Sequence, residues 1–147
     1  MKGKMLNNML VLVATEFDDI YDKGGKPYVL HCLKVMHYLR SEDEELMCIA
    51  LGHDLIEDRK NVTYQMLREQ GFTERVIAGI AALTKVPGET NREYLERIKA
   101  NPDAILVKLC DLRHNSDIRR LKGVTDKDLK RLQKYNEMYT ELKAFIA

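Results

Sequence analysis

The chain has little excess charge of either sign: 24 Lys and Arg stand against 23 Asp and Glu, a net +1. That balance argues against a polybasic nucleic-acid binder and against an acidic tail protein. Long apolar runs are missing too, and none approaches the ~20 residues that a membrane span needs. The first 19 residues mix basic and apolar side chains. Asn7 and Asn8 interrupt them, acids follow, and no small-residue cleavage site appears, so the stretch reads as a helix rather than a signal peptide. Cysteine is scarce. Cys32, Cys48 and Cys110 form no CxxC pair, and an odd count makes no disulfide framework. Each lies in an apolar run, as buried reduced thiols of a cytoplasmic protein would. Period-2 strand alternation, internal repeats and low-complexity tracts are absent as well.

What is present is a helical pattern over 147 residues, 45% hydrophobic and 32% charged. That length and balance suit one domain, residues 1–147, with its own core. Pro27 and Pro102 each open an apolar segment, where a first helical turn tolerates proline; Pro87 lies in a loop. Residues 27–40 place Val29, Cys32, Leu33, Met36 and Leu39 on one face. Residues 43–56 contain LMCIAL, a helix buried nearly all round, opened by the acids of 41–45. Thr63 caps a short helix ending at Gly71, and Thr73 and Thr90 or Asn91 cap two more. Residues 102–122 contain AILVKLCDL, again apolar all round. Residues 125–146 start at Thr125 and carry Leu129, Leu132, Met138 and Leu142 on a stripe. The expected fold is all-α, a single bundle of seven or eight helices packed around the two most apolar ones.

Charged residues interrupt these core helices. His31 lies in one, His53 and Asp54 follow LMCIALG, and Lys108 and Asp111 break AILVKLCDL. Buried charges cost several kcal/mol each unless they are paired or metal-bound. Two histidines and two aspartates at the centres of three helices are most simply explained by one divalent cation in a mixed nitrogen and oxygen sphere. In HDLIED, residues 53–58, helical spacing sets Glu57 one turn beyond His53 and Asp58 one turn beyond Asp54. Metal ligands beside free carboxylates are what metal-assisted hydrolysis requires. Lys108, three residues before Asp111, either pairs with it or snorkels outward. Residues 113–134 hold eight basic side chains against three acids, a solvated face or a rim for a small polyanion. Arg119 and Arg120 in that stretch are candidate phosphate contacts. His37 reads as structural. His114 is directed away from Asn115 on a helix, and either it is structural or it supports a ligand from behind.

His31, the His53–Asp54 pair and the distant Asp111 together resemble the HD superfamily of metal-dependent phosphohydrolases. The finer resemblance is to the hydrolase domain of RelA/SpoT-type proteins and to small stand-alone alarmone hydrolases of the metazoan SpoT-homolog type. Three blocks carry it: DKGGKPYVLH (22–31); HDLIED (53–58) with ALTK (82–85); and VKLCDLRHN (107–115). They span about residues 20–122. The resemblance implies that His31, His53, Asp54 and Asp111 hold one ion, usually Mn2+, and that Glu57 and Asp58 manage the attacking water. Lys23 and Asn115 would touch the nucleotide. The implied reaction removes pyrophosphate from the 3′ position of guanosine tetra- or pentaphosphate, leaving GDP or GTP. The implied partner is thus a small nucleotide, with no nucleic acid and no membrane, in the cytoplasm.

The chain departs from the pattern in places. Phe17 and Ile20 stand where the family often has histidine and glutamine. Asp22 precedes Lys23 where the long enzymes have arginine, so a base-side cation is missing from that position. DLRHN replaces DRLHN and moves Arg113. These differences raise an alternative: a phosphatase for another nucleotide, a deoxynucleotide or NADPH, or one more tolerant of adenosine. A non-catalytic helical regulatory module is a third reading.

Overall fold

A computed structural model describes residues 2–147. Among them the elements are α1 (Lys4–Glu16), α2 (Val29–Leu39), α3 (Glu44–Gly52), α4 (Leu55–Asp58), α5 (Tyr64–Glu69), α6 (Glu74–Leu83), α7 (Asn91–Lys99), α8 (Pro102–Asn115), a 3-10 turn (Ile118–Arg120) and α9 (Asp126–Ile146). The described residues contain no strand, only one isolated bridge between Tyr21 and Pro27. The fold is all-α, with eight helices of six residues or more and the single turn α4.

The helices begin where short polar side chains can satisfy free backbone N–H groups. Thr63, Thr73, Thr90, Asn101 and Thr125 each accept one from the first turn that follows. Such a cap contributes about 1 kcal/mol. Asp43 does the same for α3, and Glu44 reaches across to accept the Leu6 N–H of α1 at 3.0 Å. One acidic cluster thus serves two helix starts. α5 ends at Glu69, two residues before Gly71, whose φ of 91° suits glycine; Phe72 N–H and Gly71 N–H bond back to Leu67 and Arg68 carbonyls.

α3 is the axis of the bundle, flanked by α1, α2, α6 and α8. Leu46, Cys48, Ile49, Ala50 and Leu51 are all buried. At its end the packing tightens: a Cβ on Gly52 would lie 2.9 Å from Met9 Cε and 3.1 Å from Ile80 Cδ1. Glycine there lets α1 and α6 close over the residue just before His53.

Several expectations need correction. The helix expected through 43–56 stops at Gly52. His53 and Asp54 form a turn, with Asp54 at φ −106°, ψ 0°, a sparsely populated conformation frequent at active sites. The break swings both side chains inward. The segment 102–122 is helical only to Asn115, because Asp117 caps a separate 3-10 turn by accepting the Arg119 N–H. Leu106 and Leu129 are exposed, so neither of those helices buries every apolar position. Pro27 sits in the isolated bridge ahead of α2, whereas Pro102 does open α8. Cys32 and Cys48 are buried, Cys110 is partly so, and all three are free.

Candidate metal centre

The candidate site is assembled from three core helices. α2 supplies His31, the α3–α4 turn supplies His53 and Asp54, and α8 supplies Asp111. Each offers one ligand atom, and all four lie within 4.8 Å of one another. Donors on opposite sides of a cation at ~2.0–2.2 Å stand up to ~4.4 Å apart, so the cluster is already near ligating size. His31 Nε2 and His53 Nε2 lie 3.0 and 3.2 Å from Asp111 Oδ1, and His53 Nε2 lies 3.0 Å from Asp54 Oδ2. His31, His53 and Asp111 are 2%, 3% and 5% exposed, so two carboxylates here require a positive charge beside them.

The groups behind the ligands orient them. His53 Nδ1 donates to the Ala50 carbonyl at 2.6 Å, leaving Nε2 with a lone pair for a cation. His31 Nδ1 lies 2.7 Å from His114 Nδ1. With Nε2 of His31 reserved for the cluster, its Nδ1–H donates and His114 accepts. Burial, then the charge of Arg120, pushes His114 down to about 4, which keeps it neutral for that role. Tyr28 donates its hydroxyl to Asp54 Oδ2. Asp111 receives Lys108 Nζ at 3.1 Å and Asn115 Nδ2 at 3.0 Å. Burial opposes ionisation of Asp111, yet Lys108 and His53 hold it well below the carboxylate range. Burial opposes charge on His53 as well, and Asp54 and Asp111 overcome it, raising its pKa well above that of free imidazole. A proton on His53 balances the two carboxylates; a divalent cation bound by the same atoms would replace it. A set of two nitrogens and two oxygens fits such an ion.

The cluster opens onto a chamber of about 300 Å³ that also receives Glu57, Asp58, Lys85 and Lys108. Glu57 Oε1 accepts the Lys85 backbone N–H at 2.9 Å. Asp58 keeps one side toward solvent. Partial desolvation, then the charges of Asp54 and Glu57, lifts its carboxyl to about 6. Lys85 is lowered by desolvation and by the charges of Lys134 and Lys108, a lysine cluster facing two acids. The Tyr94 ring lies beneath both Lys85 and Lys108.

A second cavity of about 280 Å³ adjoins the first, and Tyr28, Asn115 and Tyr135 line both. Ile20, Leu121 and Leu132 make it more apolar, with Lys23, Arg120 and Arg131 among its polar residues. Lys23 thus lines the second cavity, and Asn115 lies in the wall between the two. Asn115 also bonds to the cluster, a contact absent from the sequence reading. Lys108 pairs with Asp111 rather than snorkelling. Arg119 is turned outward onto Asp117, while Arg120 lines the cavity. His114 stands directly behind His31, the supporting position that the sequence leaves open for it, and His37 is exposed on α2. Arg113 stacks 3.9 Å from the Tyr38 ring centre, outside both cavities. Tyr28, Lys85, Tyr94 and Tyr135 are not singled out by the sequence, whereas Arg131 belongs to its basic stretch 113–134. Tyr28 and Lys85 lie inside the matched blocks; Tyr94 and Tyr135 carry no signal without the tertiary contact.

No family model matches the chain. It is similar to a probable GTP pyrophosphokinase of Mycobacterium leprae, 29% identical over 103 residues that cover 63% of this chain and 13% of that protein. It is also similar to a GTP pyrophosphokinase of Streptomyces coelicolor, 28% identical over 130 residues that cover 82% and 15% of the two chains. The chain thus spans about one-seventh of the length of the curated relatives it matches. The all-α bundle with a buried histidine–aspartate cluster able to hold a metal ion is accordingly similar to part of proteins named for pyrophosphate chemistry on GTP.

Proposed function

We propose that the chain is a single HD-type domain that hydrolyses guanosine 3′,5′-bis(diphosphate) and its pentaphosphate, releasing pyrophosphate from the 3′ position. The observation that carries this reading is the adjacency of the two cavities, which share Tyr28, Asn115 and Tyr135 in their walls. A buried His31, His53, Asp54, Asp111 cluster opens into a chamber with two acids and two lysines, and an apolar cavity large enough for part of a nucleoside adjoins it. The relatives are named for a kinase and not for a hydrolase. The reading therefore rests on the site and on the resemblance of the three sequence blocks.

His31, His53, Asp54 and Asp111 would hold one ion, with Mn2+ the candidate. When bound, that ion supplies Lewis acidity at a phosphoryl oxygen and acidifies a bound water. Glu57, fixed by the Lys85 N–H, and Asp58 at the chamber rim orient the attacking water and accept its proton. Lys85 and Lys108 balance the anionic diphosphate. Lys23 at the mouth of the second cavity and Asn115 between the cavities position the nucleotide. The water oxygen bonds to the phosphorus carried on the 3′ oxygen, the P–O3′ bond breaks, and O3′ takes a proton. GDP and pyrophosphate leave.

The test is incubation of purified chain with guanosine tetraphosphate and Mn2+, measuring pyrophosphate and orthophosphate together. The expected products are GDP and pyrophosphate, with activity lost on chelation. Orthophosphate alone, or a strong preference for NADPH or a deoxynucleotide, would transfer the assignment to a phosphatase of another nucleotide. Absence of bound metal and of turnover on every nucleotide would leave a helical binding module.

A further inference from the structure

Two independent features of the second cavity meet at Arg120. The first is a close approach of backbone. The turn over residues 22–27 lies against the 3-10 turn so tightly that a Cβ on Gly24 would fall 2.2 Å from the Arg120 carbonyl oxygen. No side chain tolerates that separation, so glycine is what allows the two segments to meet. The second is the Arg120 side chain, which spans the join. Nη1 donates to the His114 carbonyl at 3.0 Å and to Asn115 Oδ1 at 3.2 Å, and Nη2 donates to Asp22 Oδ2 at 3.2 Å. Asn115 continues the chain to Asp111 Oδ1 at 3.0 Å. Hydrogen bonds therefore run unbroken from the 22–27 turn to the metal cluster.

A guanidinium carries five N–H groups in one plane. Protein acceptors take three of those on Arg120, and two remain on a side chain that lines the cavity. We propose that Arg120 is the specificity-determining residue of this site, offering its two uncommitted N–H groups to the acceptor edge of a 6-oxopurine base. The proposal rests on the nucleotide reading above and names its base.

A planar pair of donors matches the adjacent O6 and N7 acceptors of guanine. Adenine sets an N6 amino donor beside N7, so one of the two N–H groups would face another donor. Ile20, Leu121 and Leu132 give the ring an apolar wall. Asp22, which in the sequence marks a lost base-side cation, has the opposite effect in the fold. Its carboxylate holds the Arg120 guanidinium, from 98 residues further along the chain, beside the cavity, and that reverses the expected tolerance of adenosine.

The test is calorimetric titration of the full chain with GDP and with ADP, for wild type, Arg120→Lys and Arg120→Ala. Wild type should prefer GDP by roughly ten- to hundredfold, the discrimination of a bidentate arginine. Arg120→Ala should bind the two alike. Arg120→Lys keeps the charge without the fork and should lose most of the preference while still binding both; it carries the test if the alanine variant does not fold. Equal binding by wild type, no binding, or an undiminished preference in the variants overturns the proposal. Neither ligand has a 3′-diphosphate, so the result is independent of hydrolysis. Selective GDP binding without pyrophosphate release would keep Arg120 and discard the hydrolase.

Discussion

The two cavities are built by different means. The candidate metal cluster is carried by α2, the α3–α4 turn and α8, whose other side chains form the core. The second cavity is carried by the 17–28 and 116–125 segments and the start of α9, where Tyr21, Ile118, Val124 and Leu129 are exposed. Ligands in a close-packed core are positioned by everything around them, and moving one disturbs the fold. Residues on short turns are held by a few hydrogen bonds, and changing them alters recognition first. The cluster should therefore fail as a unit, and the cavity should be tunable residue by residue.

The largest effect should come from the cluster. Asp111→Ala removes a buried carboxylate that bonds to His31, His53, Lys108 and Asn115. Metal content and hydrolysis should be lost together, and the gain in melting temperature on adding Mn2+ should disappear. Full metal content with full activity in this variant would show that the cluster is not the ion site.

Next in size are the two acids. Glu57→Gln and Asp58→Asn keep shape and remove a proton acceptor, so turnover should fall by ~10²–10⁴-fold with metal retained. Elemental analysis beside the assay separates this outcome from ligand loss. The same pair sets a pH dependence. Asp58 is ionised only above about 6, so turnover should decline as pH falls through that value, or through a lower one once a cation sits nearby. The folded state holds this proton more tightly than the unfolded chain does. Its contribution to stability is therefore present at low pH and lost as pH rises through about 6. Asp58→Asn should flatten the acid limb; an unchanged limb would assign it to another group.

Behind the ligands the expected effects are smaller. His114→Ala deprives His31 Nδ1–H of its acceptor and should weaken metal affinity by ~10–100-fold, as is typical for such supporting groups. Competition with a fluorescent chelator measures it. Asn115→Ala should raise KM, because the amide lies in the wall of the cavity proposed for the nucleotide. Its bond to Asp111 adds a modest loss of metal affinity, which the sequence reading did not include. A KM effect with unchanged metal affinity would place the amide wholly on the substrate side.

Much of the cluster was legible because burial and charge conflict within it. A histidine or aspartate inside LMCIALGHD or AILVKLCD stands out against its apolar neighbours, and the order of the three blocks tied them together. Cap residues were equally legible, since Thr63, Thr73 and Thr125 each act on the N–H group three residues on. The continuous helix expected through HDLIED was not found, because no local signal marks the turn at His53 and Asp54. That turn is stabilised by Ala50, Tyr28 and Asp111, and the last two are distant in sequence.

The sequence by itself thus determined the helical class, most helix starts and which charged residues interrupt the core, since these depend on periodicity, short-range hydrogen bonds and the cost of burying charge. Only the tertiary structure decided that His114 backs His31, 83 residues away, and that Lys108 faces the chamber. It also decided that Asp22, a departure from the family pattern, is where Arg120 is anchored. Those pairings arise where helix ends and turns converge on one point, and residue spacing along the chain does not encode that convergence.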